Sequence, residues 1–348
     1  MRKIFRSEAQ RHRSAKRAQA ELKARARHKA RLARRPDKPP IQAPRPSSSK
    51  ARKFVNVEAP ANFSLVDNPI GVIAYFSKVH DILSSRRPAT FDLRAVQTMT
   101  PDAIALLVAS VNSTWFKKGS RVAGNKPLDA KAALMFDQSG FWDHVSSRRS
   151  LISQGEKKNL LLHRVTRNKV ENVEAMNAGK LAVSHIFKDG RRIRPLYEVL
   201  IECMANTNNH ADAQGKRGLY DWWLFVYNDP DRNRSVFTFL DLGVGVFRSL
   251  PVRSFIRDAM QRVGMRSNLD LLPKLFAGEI SSRTLQEERG KGIPRIHEHA
   301  RGGTFTRFVM ITNDVYTDMT TGNSFILGEP FHGTAFCFDL ESPKAAAA

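Results

Sequence analysis

The chain has 348 residues, 41% of them hydrophobic, which is enough for two compact domains that each bury a core. Its formal net charge of +24 is unevenly spread: residues 1–53 hold 19 Lys+Arg against 3 Asp+Glu, and the remainder is only mildly basic. Two cysteines, Cys203 and Cys337, stand in apolar surroundings without paired spacing, which argues against a disulfide framework or a zinc site. No run reaches the ~18 to 20 apolar residues of a membrane span, so a soluble cytoplasmic protein with no membrane partner is expected.

Residues 1–53 are rich in Ala, Arg and Lys and end in "PDKPPIQAPRPSSSK", whose prolines stop any helix. With almost nothing apolar to bury, the segment reads as a disordered basic tail, either a solvated arm or an arm for nucleic acid or another anionic partner. Folded structure is expected from Phe54. "ATFDLRAV" has strand composition, "TPDAIALLVASVNSTWFKKG" a helix with a Thr cap and Pro at its first position, and "SRVAGN" a short strand. "PLDAKAALMFDQSGF" then predicts a helix closing at Gly140. This order implies a small open sheet with helices on it, over residues 54–150. The stretch resembles the STAS domains of bacterial anti-sigma antagonists, in which an Asp-ended strand leads through a Ser/Thr loop into a helix. The family's Asp-Ser-Ser-Gly loop is absent here. The resemblance would place a phosphoacceptor near Thr98 or Thr100, while the plain reading of Thr100 is a helix cap.

A linker is expected over 151–168, followed by a second α/β or α+β unit over 169–348. Two helices come first, "VENVEAMNAGKLAVSHIF" and "PLYEVLIECMANTNNHA". The strands "DWWLFVYN" and "SVFTFLDLG" follow around the turn "DPDRNR", then a long insertion, a helix after "RGKG", and strands near 304–312 and 334–340. Helices in a block and strands as hairpins predict a mixed sheet with helices on one face. Of Trp222 and Trp223, which alternate on one strand, one is expected in the core.

Four stretches carry chemistry. At about 100° per residue, Glu202, Asn206 and Asn209 of "LIECMANTNNHADA" share one helix edge, with His210 beside them. Leu196, Leu200, Cys203 and Thr207 form the packing face. A carboxylate and an amide one turn apart can orient water and offer oxygen to a hard cation such as Mg²⁺. "FTFLDLGVGVF" ends an apolar strand at Asp241, with Gly243 and Gly245 allowing close approach to backbone. In "RGKGIPRIHEHARGG", Gly290 and Gly292 flank Lys291 and Pro294 opens a helix, an arrangement suited to an anion. The histidines of "HEH" at 297–299 point to different sides of a helix and read as helix surface. Lastly, "HGTAFCFDL" starts a terminal strand at Gly333 and Thr334.

In this order the four stretches resemble the boxes of the GHKL superfamily of ATP-binding domains, which includes gyrase B, MutL, the ninety-kilodalton heat-shock chaperones, sensor histidine kinases and anti-sigma serine kinases. The resemblance implies a Bergerat α/β sandwich over residues 169–348, with a lid at 247–289, and ATP and Mg²⁺ as ligands. It assigns Glu202 as the general base, Asn206 as the Mg²⁺ ligand and Asp241 as acceptor for the adenine amino group, with Thr334 assisting. Gly243 and Gly245 would admit the nucleotide, and Gly290, Lys291 and Gly292 would hold phosphates. Asn209 stays an undecided neighbour of the site, and His210 either touches phosphate or caps the helix. Histidine kinases generally carry Asn where Glu202 stands, so a slow ATPase with a bacterial regulatory role is the leading expectation. A serine/threonine kinase of the anti-sigma type and a non-enzymatic ATP-gated binding module are the alternatives, with a protein partner or a second copy of the chain as companions.

Overall fold

In the first segment Pro and capping side chains set the helix starts. Helix α1 (Pro69–Ser84) opens on Asn68, whose Oδ1 accepts from Gly71 N at 3.2 Å, and it buries Val72, Ile73, Tyr75, Val79 and Leu83. The computed structural model describes residues 53–112, 122–145, 159–165, 170–210, 221–250, 267–280 and 291–342. The basic tail, most of the 151–168 linker and much of the expected lid therefore lie outside the described residues.

Strands β1 (Val55–Glu58), β3 (Ala89–Asp92) and β5 (Val122–Gly124) form a parallel sheet in the order β1-β3-β5, and β2 (Asn62–Phe63) pairs in parallel with β4 (Thr98–Met99). Helix α2 (Pro101–Asn112) starts where its Pro predicts and is buried at every position from Pro101 to Ser110. Thr100 precedes it, and its carbonyl accepts from Ile104 N. The Thr100 hydroxyl donates to the buried Asp102 carboxylate at 2.6 Å, and Thr98 is exposed. Helix α3 (Ala130–Gln138) is capped by Asp129 and is followed by Gly140 at φ 81°; α4 (Phe141–Val145) comes next.

In the second segment, strand β6 (Leu160–Val165) corrects the expected 151–168 linker, because it pairs with β7 (Asp221–Asp229) as a strand of the larger sheet; α5 (Asn172–Ile186) and α6 (Arg194–His210) lie between them in the chain, and β8 (Arg234–Asp241) follows. After these come α7 (Val246–Ser249), α8 (Leu272–Phe276), α9 (Gly292–Arg301), β9 (Arg307–Asp318) and β10 (Ser324–Glu341). The described residues thus form a mixed α and β fold. The sheet order is β6-β7-β8-β10-β9 and every neighbouring pair is antiparallel. This corrects the expectation of a mixed sheet. A parallel pair would arise if β9 docked on β8; instead β10, the second strand of the closing hairpin, takes that place and runs opposite to β8.

Strand alternation divides the core. Trp222, Leu224 and Val226 of β7 face one way with Phe237, Phe239, Phe336 and Phe338, and pack against α5, α6 and α9. Trp223, Phe225 and Tyr227 face the other way with Leu240, Val309 and Ile311, against the apolar residues of α1 and α2. Both tryptophans are therefore buried, at 0% and 1% exposure, where one was expected in the core. The sheet has helices on both faces, because α2 contacts β7 and β8 and α1 contacts β10. The all-round burial of α2 follows from that second contact.

Candidate functional site

The site begins on α6. Leu196, Leu200, Cys203 and Thr207 are buried against the sheet, as their spacing predicts, and Glu202 and Asn206 sit half-buried on the adjoining edge. That edge meets the first residue of α9. A Cβ on Gly292 would lie 2.7 Å from Asn206 Oδ1 and 3.2 Å from Glu202 Oε2, so any side chain there would displace the Asn206 amide from its present position. Glu202 Oε1 accepts from Arg295 Nη1 at 2.7 Å. Asn206 Nδ2 is buried with no hydrogen-bond partner.

Parity along β8 and β10 sends Asp241 and Thr334 to the same face as α6, and the two residues pair across the ladder. The Asp241 carboxylate accepts from Gly243 N at 2.8 Å and from the Thr207 hydroxyl at 3.4 Å. Burial pushes its pKa up to about 6, with the Gly243 N–H, the Thr207 hydroxyl and the Thr334 N–H opposing that rise. Gly333, at φ 121° beside a register shift in β10, leaves no room for a side chain: its Cβ would lie 1.9 Å from Asp241 O. The Cys203 thiol is pushed well up by burial and by the nearby Glu202 and Asp241, which removes it as a nucleophile.

A cavity of about 50 Å³ joins these parts. Asn206, Asp241, Gly245, Gly292 and Thr334 all line it, and Leu250, Leu275, Ile280 and Phe336 supply apolar wall. Five of the residues singled out in the sequence are thus brought to one space from four separate elements and a loop. Gly243 stands just outside the wall and donates to Asp241. Glu202 lines an adjoining cleft with Arg295, Glu198 and His299. Lys291 is exposed at the start of α9. Gly290 lies outside the described residues, as do the side chains of Asn209 and His210 at the end of α6. Of the expected lid, 247–250 and 267–280 are described, and 251–266 and 281–289 are not.

Two residues absent from the sequence reading hold the glycine loop. Thr312 Oγ1 accepts from Val246 N at 2.9 Å and donates to Gly333 O at 3.0 Å. Asn313 Oδ1 accepts from Phe247 N at 3.0 Å while its Nδ2 donates to Val244 O at 2.9 Å. Asn313 itself has φ 53°, a left-handed backbone that Asn tolerates better than most residues. A signal was present in the sequence: "ITND" interrupts an apolar strand with consecutive polar residues. Thr207 offered none, because its spacing marked it for packing. Compared with known protein families and with curated proteins, the chain matches none.

The "HEH" histidines diverge as their spacing requires. His297 stacks on Phe276 with ring centroids 4.1 Å apart, and His299 pairs with Glu198 at 2.9 Å. Among the described residues no group of three His, Cys, Asp or Glu is placed to hold a metal. None of the described helices is long and apolar enough to cross a membrane.

Proposed function

We propose that the chain binds ATP with Mg²⁺ in the manner of a GHKL domain and hydrolyses it slowly, as a regulatory switch. One observation carries the reading: Asn206, Asp241, Gly245, Gly292 and Thr334, chosen for their chemistry, line a single cavity. The donor set suits the ligand. Asp241 offers a buried acceptor to an exocyclic amine, with the Thr334 side chain on the same face. The start of α9, with Gly292 and no side-chain cap, offers N–H groups to phosphate.

The Mg²⁺ ion fits as well. It typically takes one or two protein oxygens and otherwise water and phosphate, and Asn206, with an amide nitrogen still unpartnered, presents such an amide beside Gly292. Bound there, the ion would neutralise phosphate charge. Glu202, one turn away, would hold and accept a proton from water. A space of about 50 Å³ is well below the ~300 Å³ or more of an ordinary ligand site, so a nucleotide would have to widen it on binding.

Calorimetric titration with ATP and Mg²⁺, alongside phosphate release, tests the proposal. Asp241→Asn should weaken ATP binding by roughly 10- to 100-fold, the effect of losing a charged hydrogen-bond acceptor. Glu202→Ala should abolish phosphate release while binding persists. Unchanged affinity in Asp241→Asn would remove the nucleotide reading, and unchanged turnover in Glu202→Ala would remove Glu202 from the chemistry.

A further inference from the structure

We infer that Arg295 is the ligand for the terminal phosphate of the nucleotide, and that Glu202 holds it in reserve until that phosphate arrives; this rests on the nucleotide reading above. Glu202 would be a residue with two tasks, and the ion pair is what links them.

Arg295 stands in the first turn of α9, three residues beyond Gly292, and its Nη1 donates to Glu202 Oε1 at 2.7 Å across the seam between α6 and α9. The other carboxylate oxygen of Glu202 faces Gly292, together with the Asn206 amide. The ion pair therefore sits next to Gly292 and lines an adjoining cleft, not the cavity itself. With the base end of a nucleotide at Asp241 and its phosphates at the start of α9, Arg295, beside Gly292 but outside the cavity, would meet the far end of the phosphate chain.

The exchange is chemically balanced. A guanidinium presents a planar fork that fits carboxylate and phosphate oxygens alike, so one can replace the other without a change of donor geometry. The Arg295 side chain is 57% exposed while Glu202 is 17% exposed. A pair this open to solvent is weakly held, and a phosphate bearing more charge can draw the arginine away. Glu202 is then left without its cation beside Asn206, the arrangement a proton acceptor needs. The arginine would thus report the third phosphate and release the base in one movement, so that hydrolysis is enabled only by the triphosphate.

The full chain is titrated calorimetrically with Mg²⁺ and either ADP or an ATP analogue with a non-hydrolysable terminal linkage. Wild type is expected to prefer the triphosphate, and Arg295→Ala to lose about 10-fold in triphosphate affinity, the scale of one charged hydrogen bond, with ADP affinity unchanged. Arg295→Lys should recover part of the loss. Glu202→Gln should tighten triphosphate binding by releasing the arginine, and that gain should vanish in Glu202→Gln/Arg295→Ala. A gain that persists without Arg295 reflects simple repulsion between Glu202 and phosphate and overturns the inference. So does a preference for triphosphate over ADP that survives Arg295→Ala. A wild-type chain that binds neither nucleotide overturns the nucleotide reading and this inference with it. Circular dichroism of each variant separates lost binding from lost folding.

Discussion

Asp241 concentrates the electrostatics of the site in one carboxylate. It is 8% exposed, and its pKa is raised by burial to about 6, above the usual carboxylate range. A group with a raised folded-state pKa favours the fold in its protonated form. Its contribution to stability is fully present below the unfolded value near 4 and is lost as pH rises through about 6. On the proposed nucleotide reading, binding would have the opposite dependence, because the ionised carboxylate is the form that accepts from an amino group. ATP affinity should therefore rise between pH 5 and pH 7 in wild type and stay flat in Asp241→Asn, as measured by titration across that range.

At the scale of elements, the glycine loop between β8 and α7 is held by the distant strand β9. Gly245 has φ 80°, and a Cβ there would lie 2.6 Å from the Asn313 side chain. Gly245→Ala combines a left-handed backbone on a residue with Cβ and a clash with Asn313, and should cost on the order of 1–3 kcal/mol in urea unfolding. Asn313→Ala should also destabilise, since Phe247 N–H and Val244 O lose their partner. The double variant should lose less than the sum, because removing the Asn313 side chain makes room for the new methyl. Strict additivity would show that the clash is absorbed by backbone movement.

For the whole molecule, the central question is what covers the second face of the five-stranded sheet. Phe225 of β7 is fully buried on that face in the core shared with α1 and α2, and Arg307 of β9 reaches Asp67 at 3.0 Å while also facing the buried Asp339. Phe225→Ala should therefore cost ~3–5 kcal/mol. It should also increase proteolytic cleavage within the first segment, because the cavity opens against α2. Unfolding of residues 54–145 at the wild-type denaturant concentration in that variant would show that the two segments do not share stability.

Short-range signals made much of this legible. The proline opening α2 and the 100° spacing along α6 located those helices and separated the packing face of α6 from its polar edge, while α1, β1, β2, β4 and β6 were not read from the sequence. These signals act over a few residues, so the sequence by itself determined the start of α2, the packing face of α6 and the strands ending at Asp241 and running on from Thr334. Other features depend on where distant segments dock. Arg295 meets Glu202 across 93 positions, Thr312 and Asn313 meet the glycine loop across 66, and the closing hairpin presents β10 to β8 in place of β9. Only the tertiary structure decided these, because periodicity fixes which face a side chain takes but carries no record of what is packed against it.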